Sequence, residues 1–379
     1  MEEDNDYSEE VKKEQKERAR KRREQEESFR RAAEEQEASA DDGKQEVGTE
    51  DTTSNFVREK FGPENDVTVE SIETVAIELE ELRDEEIVSI SIQDVYDQKG
   101  ARQSGYVAVA TKKHVSLLTP DSNQLVWKVP ISDSSDVVMV KCSSSLVFVL
   151  LSDKTLHVLD LTSRTAAHVR IQLGKESLEF PVHMSSFGDQ LLIVFSGGQQ
   201  SFLVDVGLSV RALDLGEHGF LTYATLRYDS MPVTGYVDGK LCFEFGAGSS
   251  FAFDLKQAVV AADVSFERHF AIALGDGTLV WISFDLPSLI EKTTTDAQGL
   301  QWSKVFAGQR AMCAFHVASQ RLCFWDIDAI GAVNYILSSP SSSSSVTASD
   351  MCGNFILCGT KDGKLIKHLF PEKISTALY

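Results

Sequence analysis

VDGKLCFEFG (residues 237–246), GDGTLVWISF (275–284) and KDGKLIKHLF (361–370) share one pattern: an Asp-Gly pair followed by a mostly apolar run. Asp-Gly supplies the positive φ that a tight hairpin turn requires. A second apolar run precedes each one (PVTGY, FAIAL and FILCGT), so each reads as a β-hairpin. Four further stretches align on these: TKKHVSLLTP (111–120), SDKTLHVLDL (152–161), GGQQSFLVDV (197–206) and ASQRLCFWDI (318–327). The position just after the turn is Val115, Leu156, Ser201, Leu241, Leu279, Leu322 and Leu365, at spacings of 41, 45, 40, 38, 43 and 43 residues.

That spacing is the length of a four-stranded propeller blade, about 40–45 residues. The second unit shows all four strands: DVVMVKC, LVFVLL, TLHVLDL and AAHVRIQL. Seven such units fill residues 87–379. A blade buries both faces only by stacking on neighbours, and a ring leaves no end blade exposed. A sandwich would not repeat evenly, and a β-helix has shorter coils. The sequence therefore predicts an all-β, seven-bladed propeller. Closure needs a strand from one end of the unit array, with Val75–Leu82 and Ile374–Tyr379 as candidates and the first preferred.

The stretch before the repeats differs in kind. Residues 1–86 hold 30 acidic and 14 basic side chains, against 28 and 23 in residues 87–379, so most of the net charge of −21 lies there. Residues 1–37 read as a charged helical arm, with Asp6 and Glu9 as a capping box and Glu9–Lys13, Glu14–Arg18, Glu17–Lys21, Glu26–Arg30 and Glu27–Arg31 as i,i+4 pairs. No a/d seam repeats, which argues against a coiled coil. Residues 38–66 are polar and aperiodic and read as a disordered linker, and residues 67–86 fit either a closing strand or a helix.

LHVLDL and LCFWDI resemble the strand that ends WD40 repeats, and Trp325-Asp326 is the signature dipeptide itself. Asp160 and Asp205 match its Asp, whereas Thr119, Phe245, Ser283 and Leu369 stand there in the other repeats. The Gly-His that opens such repeats is missing, apart from His218 near Gly216. The chain thus looks like a degenerate member of the WD40-like superfamily. The resemblance implies a fold and leaves function open, because such rings serve many processes.

A search for chemistry finds little. His114, His157, His168, His183, His218, His269, His316 and His368 show no paired-ligand spacing for a helix face, and no C-x-x-C occurs. Cys142, Cys242, Cys313, Cys323, Cys352 and Cys358 read as buried reduced thiols, with Cys313 and Cys323 expected to face each other across a hairpin. Gly246-Ala247-Gly248-Ser249-Ser250 lacks the helix a phosphate loop needs, and Ser196-Gly197-Gly198 lacks the helix of a nucleophile elbow. The serine run Ser338–Ser345, broken at Pro340, reads as a loop. No cofactor or metal is expected.

One basic cluster stands out: Lys16, Arg18, Arg20, Lys21, Arg22 and Arg23. It reads as a nuclear import signal or as the solvated face of the arm, with a small RNA-contacting arm as a third reading. The expected function is a non-catalytic protein-interaction scaffold, one propeller within a hetero-complex, in a nuclear multi-protein or ribonucleoprotein assembly. RNA would be met only indirectly, through the complex. The alternatives are a cytoplasmic trafficking or cytoskeletal adaptor and a propeller enzyme with a channel active site. No membrane insertion is expected, because no apolar run reaches spanning length.

Overall fold

A computed structural model describes residues 56–60 and 72–378, with short gaps at 97–101, 120–123, 132–134, 172–180, 196–200, 206, 214, 216–220, 227–231, 246–248, 266–268, 286–287, 296–301, 309–310, 328–332 and 338–344. The charged arm, its basic cluster, Ser196-Gly197-Gly198, Gly246–Gly248 and most of the serine run lie outside the described residues.

Seven antiparallel sheets follow one another along the chain, as the repeat predicts. Blade one comprises Ile87–Tyr96, Arg102–Thr111, His114–Leu118 and Leu125–Pro130. Blade two comprises Val137–Cys142, Leu146–Leu151, Thr155–Asp160 and Ala166–Arg170. Blade three comprises Pro181–Phe187, Gln190–Phe195, Ser201–Val204 and Val210–Leu213. Blade four comprises Leu221–Leu226, Pro232–Tyr236, Lys240–Phe245 and Ser249–Asp254. Blade five comprises Val259–Val264, His269–Leu274, Thr278–Asp285 and Ser288–Thr295. Blade six comprises Lys304–Ala307, Ala311–His316, Arg321–Asp326 and Val333–Ile336. Blade seven takes Val346–Met351, Phe355–Thr360 and Leu365–Leu369, and its fourth strand is Glu73–Ile77.

The hairpin turns carry the conformation that their residues demand. Gly239, Gly277 and Gly363 have φ of 93°, 90° and 82°. Where glycine is absent, Lys154 and Gln320 take the left-handed conformation at φ of 68° and 49°. At several tips the Asp side chain accepts the backbone N–H two residues on: Asp153 from Thr155 at 3.0 Å, Asp238 from Lys240 at 3.1 Å and Asp276 from Thr278 at 2.9 Å. This is the local hydrogen bond that makes Asp a turn former.

Burial falls from the axis outward. The second strands Leu146–Leu151, Pro232–Tyr236 and Phe355–Thr360 are buried at every residue, because neighbouring blades cover both their faces. The fourth strand Ala166–Arg170 alternates between exposed and half-buried. The core is divided into clusters lying in the seams between blades. Ala108, Val115, Val149 and Leu159 fill the seam of blades one and two, and Phe148, Leu156, Ile193 and Phe202 that of two and three. One larger cluster joins blades six, seven and one, and includes Phe315, Phe324, Leu357, Ile87 and Ile90.

The closing strand runs antiparallel to Leu365–Leu369, from Glu73 opposite Leu369 to Ile77 opposite Leu365. After it the chain turns through a short 3-10 helix, Glu80–Leu82, which buries Leu82 completely. A Cβ on Gly363 would lie 1.8 Å from the carbonyl oxygen of Leu82, so only glycine admits this approach. The other closure candidate goes elsewhere: Ile374 and Leu378 belong to the helix Glu372–Leu378 and face the cluster of blades six, seven and one. Their i,i+4 spacing puts both on one helical face.

Two details depart from the sequence reading. Phe56–Lys60, inside the stretch read as a linker, pairs parallel with Ser288–Thr295 as a fifth strand on the outer edge of blade five. Cys313 and Cys323 do not face each other. Cys313 sits opposite Phe324 and Cys323 opposite Ala314, a one-residue offset that sends them to different seams. All six cysteines are buried, and none forms a disulfide.

Candidate functional site: the central channel and the blade edges

The first strand of every blade lines the axis, and together they enclose a cavity of about 170 Å³. Polar residues interrupt these otherwise apolar strands at matching heights. Five of them do the same thing, Ser89 among them, which accepts the backbone N–H of Val140 at 3.0 Å. Ser91 accepts the backbone N–H of Cys142 at 3.0 Å, and Ser185 that of Leu226 at 3.1 Å. Asp263 accepts from Ala307 and Asp350 from Ile92, each at 2.8 Å. In each case an oxygen of one blade satisfies an amide on the first strand of the next.

The remaining junctions are bridged by different groups. Ser186 Oγ donates to the Cys142 carbonyl at 2.6 Å, tying blade three back to blade two. The Tyr223 hydroxyl donates to the Ala262 carbonyl, linking blades four and five. Lys304 Nζ lies 3.9 Å from Asp350, linking six and seven. Thr347 adds a bond to the Ile87 carbonyl at 2.6 Å, reinforcing the junction of seven and one. Every junction of the ring is thus crossed by a polar contact near the axis. The inner edge of a blade is an unpaired strand edge, and these contacts satisfy amides and carbonyls that would otherwise be left without partners.

The channel also holds the groups that sequence inspection would shortlist for chemistry. His183 lies against Tyr223 with ring centroids 4.3 Å apart and the ring planes tilted by 44°. Burial, with Lys304 and Lys141 adding repulsion, pushes the His183 imidazole down to about 3, so it is neutral at physiological pH. Burial and then Asp263 push the Tyr223 phenol well above its ordinary value. Asp263 and Asp350 face backbone amides, which leaves their carboxylates engaged in the ring. The cavity is small beside the roughly 300–1,000 Å³ of ordinary ligand pockets. No group of three or more metal-ligating side chains occurs among the described residues. His157 and His168 do sit opposite each other on the outer strands of blade two, ring centroids 4.0 Å apart. Burial and then His168 lower the His157 pKa.

None of these axial residues was singled out from sequence, apart from His183 in the roll of histidines. The signal was available in the first strands, where SISIQ, HMSSF, AADV and TASDM each place polar side chains inside an apolar run.

The outer surface offers two distinctive edges. The first hairpin of blade one has two ten-residue strands, longer than any other strand among the described residues. Gln93 anchors it to blade two, donating to the Ser143 and Ser144 carbonyls at 2.8 and 2.7 Å and accepting from Tyr106 at 2.9 Å. Val95 and Tyr106 beyond this anchor are 39% and 38% exposed. The second is the edge of blade five that carries Phe56–Lys60. The six basic residues read as an import signal fall outside the described residues. No helix among the described residues is long and apolar enough to cross a membrane.

No family model and no curated protein matches the chain. Solved structures do. A chain in a crystal structure of the mitotic checkpoint complex is 14% identical, with a TM-score of 0.58, covering 87% of this chain and 98% of that one. The WD40 repeats of RRP9 are 13% identical, with a TM-score of 0.57, covering 80% of this chain and all of that one (100%). Virginiamycin B lyase from Staphylococcus aureus is 11% identical, with a TM-score of 0.59, covering 79% of this chain and 100% of the lyase. At such identities the likeness carries the fold alone: the chain is a seven-bladed propeller with WD40 proteins among its structural neighbours.

Proposed function

We propose that this protein is a non-catalytic interaction scaffold, one propeller within a hetero-complex of a nuclear multi-protein or ribonucleoprotein assembly. The observation that carries the reading is the ring of polar contacts around the axis. The carboxylates and hydroxyls that could serve an active site are engaged in joining blades, while apolar and strand-edge surface is presented outside. A neighbour drawn from the mitotic checkpoint complex, a multi-protein assembly by its name, supports partners that are proteins. Lys16, Arg18, Arg20, Lys21, Arg22 and Arg23 support nuclear import, and any RNA would be reached through the complex.

Affinity purification of the full chain from native extract tests the scaffold reading. A stable stoichiometric complex is expected, and recovery of the chain alone would overturn it. Replacing the six basic residues by glutamine should move the protein out of the nucleus. Unchanged distribution would favour the cytoplasmic adaptor.

The lyase neighbour and the adjacent His183–Tyr223 pair favour one second reading, a channel enzyme. It requires that His183→Ala abolish a turnover which Val95→Ala leaves intact.

A further inference from the structure

Blade five is the only described blade with a fifth strand, and the register of that strand is chemically ordered. Phe56 and Val57 stand opposite Leu289 and Ile290, Arg58 opposite Glu291, and Glu59 opposite Lys292. By register alone, apolar residue types stand opposite apolar ones, a basic residue opposite an acidic one, and an acidic residue opposite a basic one. Slipping the strand by two residues would set Arg58 against Leu289 or against Thr293, and would lose both charge pairings. The receiving strand, Ser288–Thr295, pairs with the third strand of its blade along all eight residues, so the four-stranded sheet is complete without the fifth. Phe56–Lys60 is therefore an addition to a finished blade, held parallel, the weaker of the two pairing modes.

We infer that the outer edge of blade five is a docking site for an extended protein segment. Its ligand runs parallel and carries the order apolar-apolar-basic-acidic. Residues 56–59 are its built-in occupant, and a partner bearing the same order takes the edge by displacing them. The inference deepens the scaffold reading and rests on it, by naming one surface and one partner class. Strand addition gains affinity from main-chain hydrogen bonds and specificity from residues along the added strand. The cis occupant is joined to the closing strand through residues 61–72, a span of at most about 40 Å when extended. Joined within one chain over so few residues, the cis strand competes with any partner in solution.

The charge order makes a test possible in the full chain. Arg58→Glu with Glu59→Lys sets like charges opposite Glu291 and Lys292. Adding Glu291→Lys and Lys292→Glu restores the cis match in reverse. The probe is a fluorescent synthetic peptide of residues 54–62, SNFVREKFG. Amide exchange over residues 56–60 should be slow in the wild type, fast in the double variant and slow again in the quadruple variant. The probe should bind the double variant about tenfold more tightly than the wild type, because the tethered competitor is gone, and should fail to bind the quadruple variant. Random-coil exchange over 56–60 in all three proteins, or equal probe binding to all three, would overturn the inference. A stable complex from native extract that forms equally well with all three proteins would remove the blade-five edge and leave the scaffold reading standing.

Discussion

Two short strands from the same acidic stretch join the ring, Glu73–Ile77 on blade seven and Phe56–Lys60 on blade five, and they do so on different terms. The first completes a sheet that has only three strands of its own. It is antiparallel, ends on buried Ile77 and is flanked by buried Ile72 and Leu82, and Thr74 meets His368 Nδ1 at 3.0 Å. The second lies parallel on a sheet that already has four. Two neighbouring strands of one acidic stretch thus do different work. One is part of the fold's core, because removing it uncovers apolar surface on the ring. The other is a ligand of the fold, because removing it uncovers an edge.

The strongest way to break this comparison is truncation. A chain starting at residue 87 loses Ile72, Ile77 and Leu82, each worth about 1.5–3 kcal/mol of burial, and leaves blade seven open. Loss of a single cooperative thermal transition is expected. A chain starting at residue 61 should melt within a few degrees of the full chain. Equal melting of the two truncated chains would erase the distinction. A single substitution probes the same point more gently. Leu82 is fully buried in the cluster of blades six, seven and one, so Leu82→Ala should cost about 2–5 kcal/mol in denaturant unfolding.

Acid should weaken the seam that holds the closing strand. Burial pushes the His368 imidazole down to about 4, while in the unfolded chain it titrates near 6.5. The unfolded state therefore binds more protons between those values, and stability falls as pH drops from about 6.5 towards 4. The slope from one such group is at most about 1.4 kcal/mol per pH unit. His183, also depressed, adds to the loss in the same direction. His368→Gln should therefore flatten the decline without abolishing it. An unchanged acid profile in that variant would show that the closing strand does not couple to His368.

The two strands were not equally legible in the sequence. The hairpin tips at Asp238-Gly239, Asp276-Gly277 and Asp362-Gly363 announced the repeat, because a positive φ leaves a residue signature. Val75 and Ile77 alternate as a closing strand should, although the chain leaves the sheet at Ile77, and Leu82 serves a 3-10 turn instead. FVREK carries no such signal. Five residues with charges at their centre fit a strand, a helix or a coil alike, and only the receiving edge decides. The axial contacts were hidden for a related reason. Ser91, Ser185, Asp263 and Asp350 align only once the first strands are superposed, whereas the repeat shows itself in the sequence through the hairpins. Cys313 and Cys323 show the limit of pairing by eye, since a one-residue offset in register reverses the face.

The smallest expected effect separates the two strands most cleanly. Thr74→Val keeps the shape of the closing strand and removes the hydroxyl that meets His368, at a cost of about 1 kcal/mol, the usual worth of one hydrogen bond. Arg58→Ala touches a strand outside the four-stranded blade, and the global unfolding free energy should change by no more than about 0.5 kcal/mol, as for surface positions generally. The same variant should nonetheless speed amide exchange over residues 56–60, because local opening needs only the five-residue pairing to come apart. Chemical denaturation and hydrogen exchange on the two variants thus give opposite orders: Thr74→Val is felt globally, Arg58→Ala locally. If Arg58→Ala cost as much global stability as Thr74→Val, the outer strand would have to unfold together with the ring, and it could not serve as a displaceable ligand of blade five.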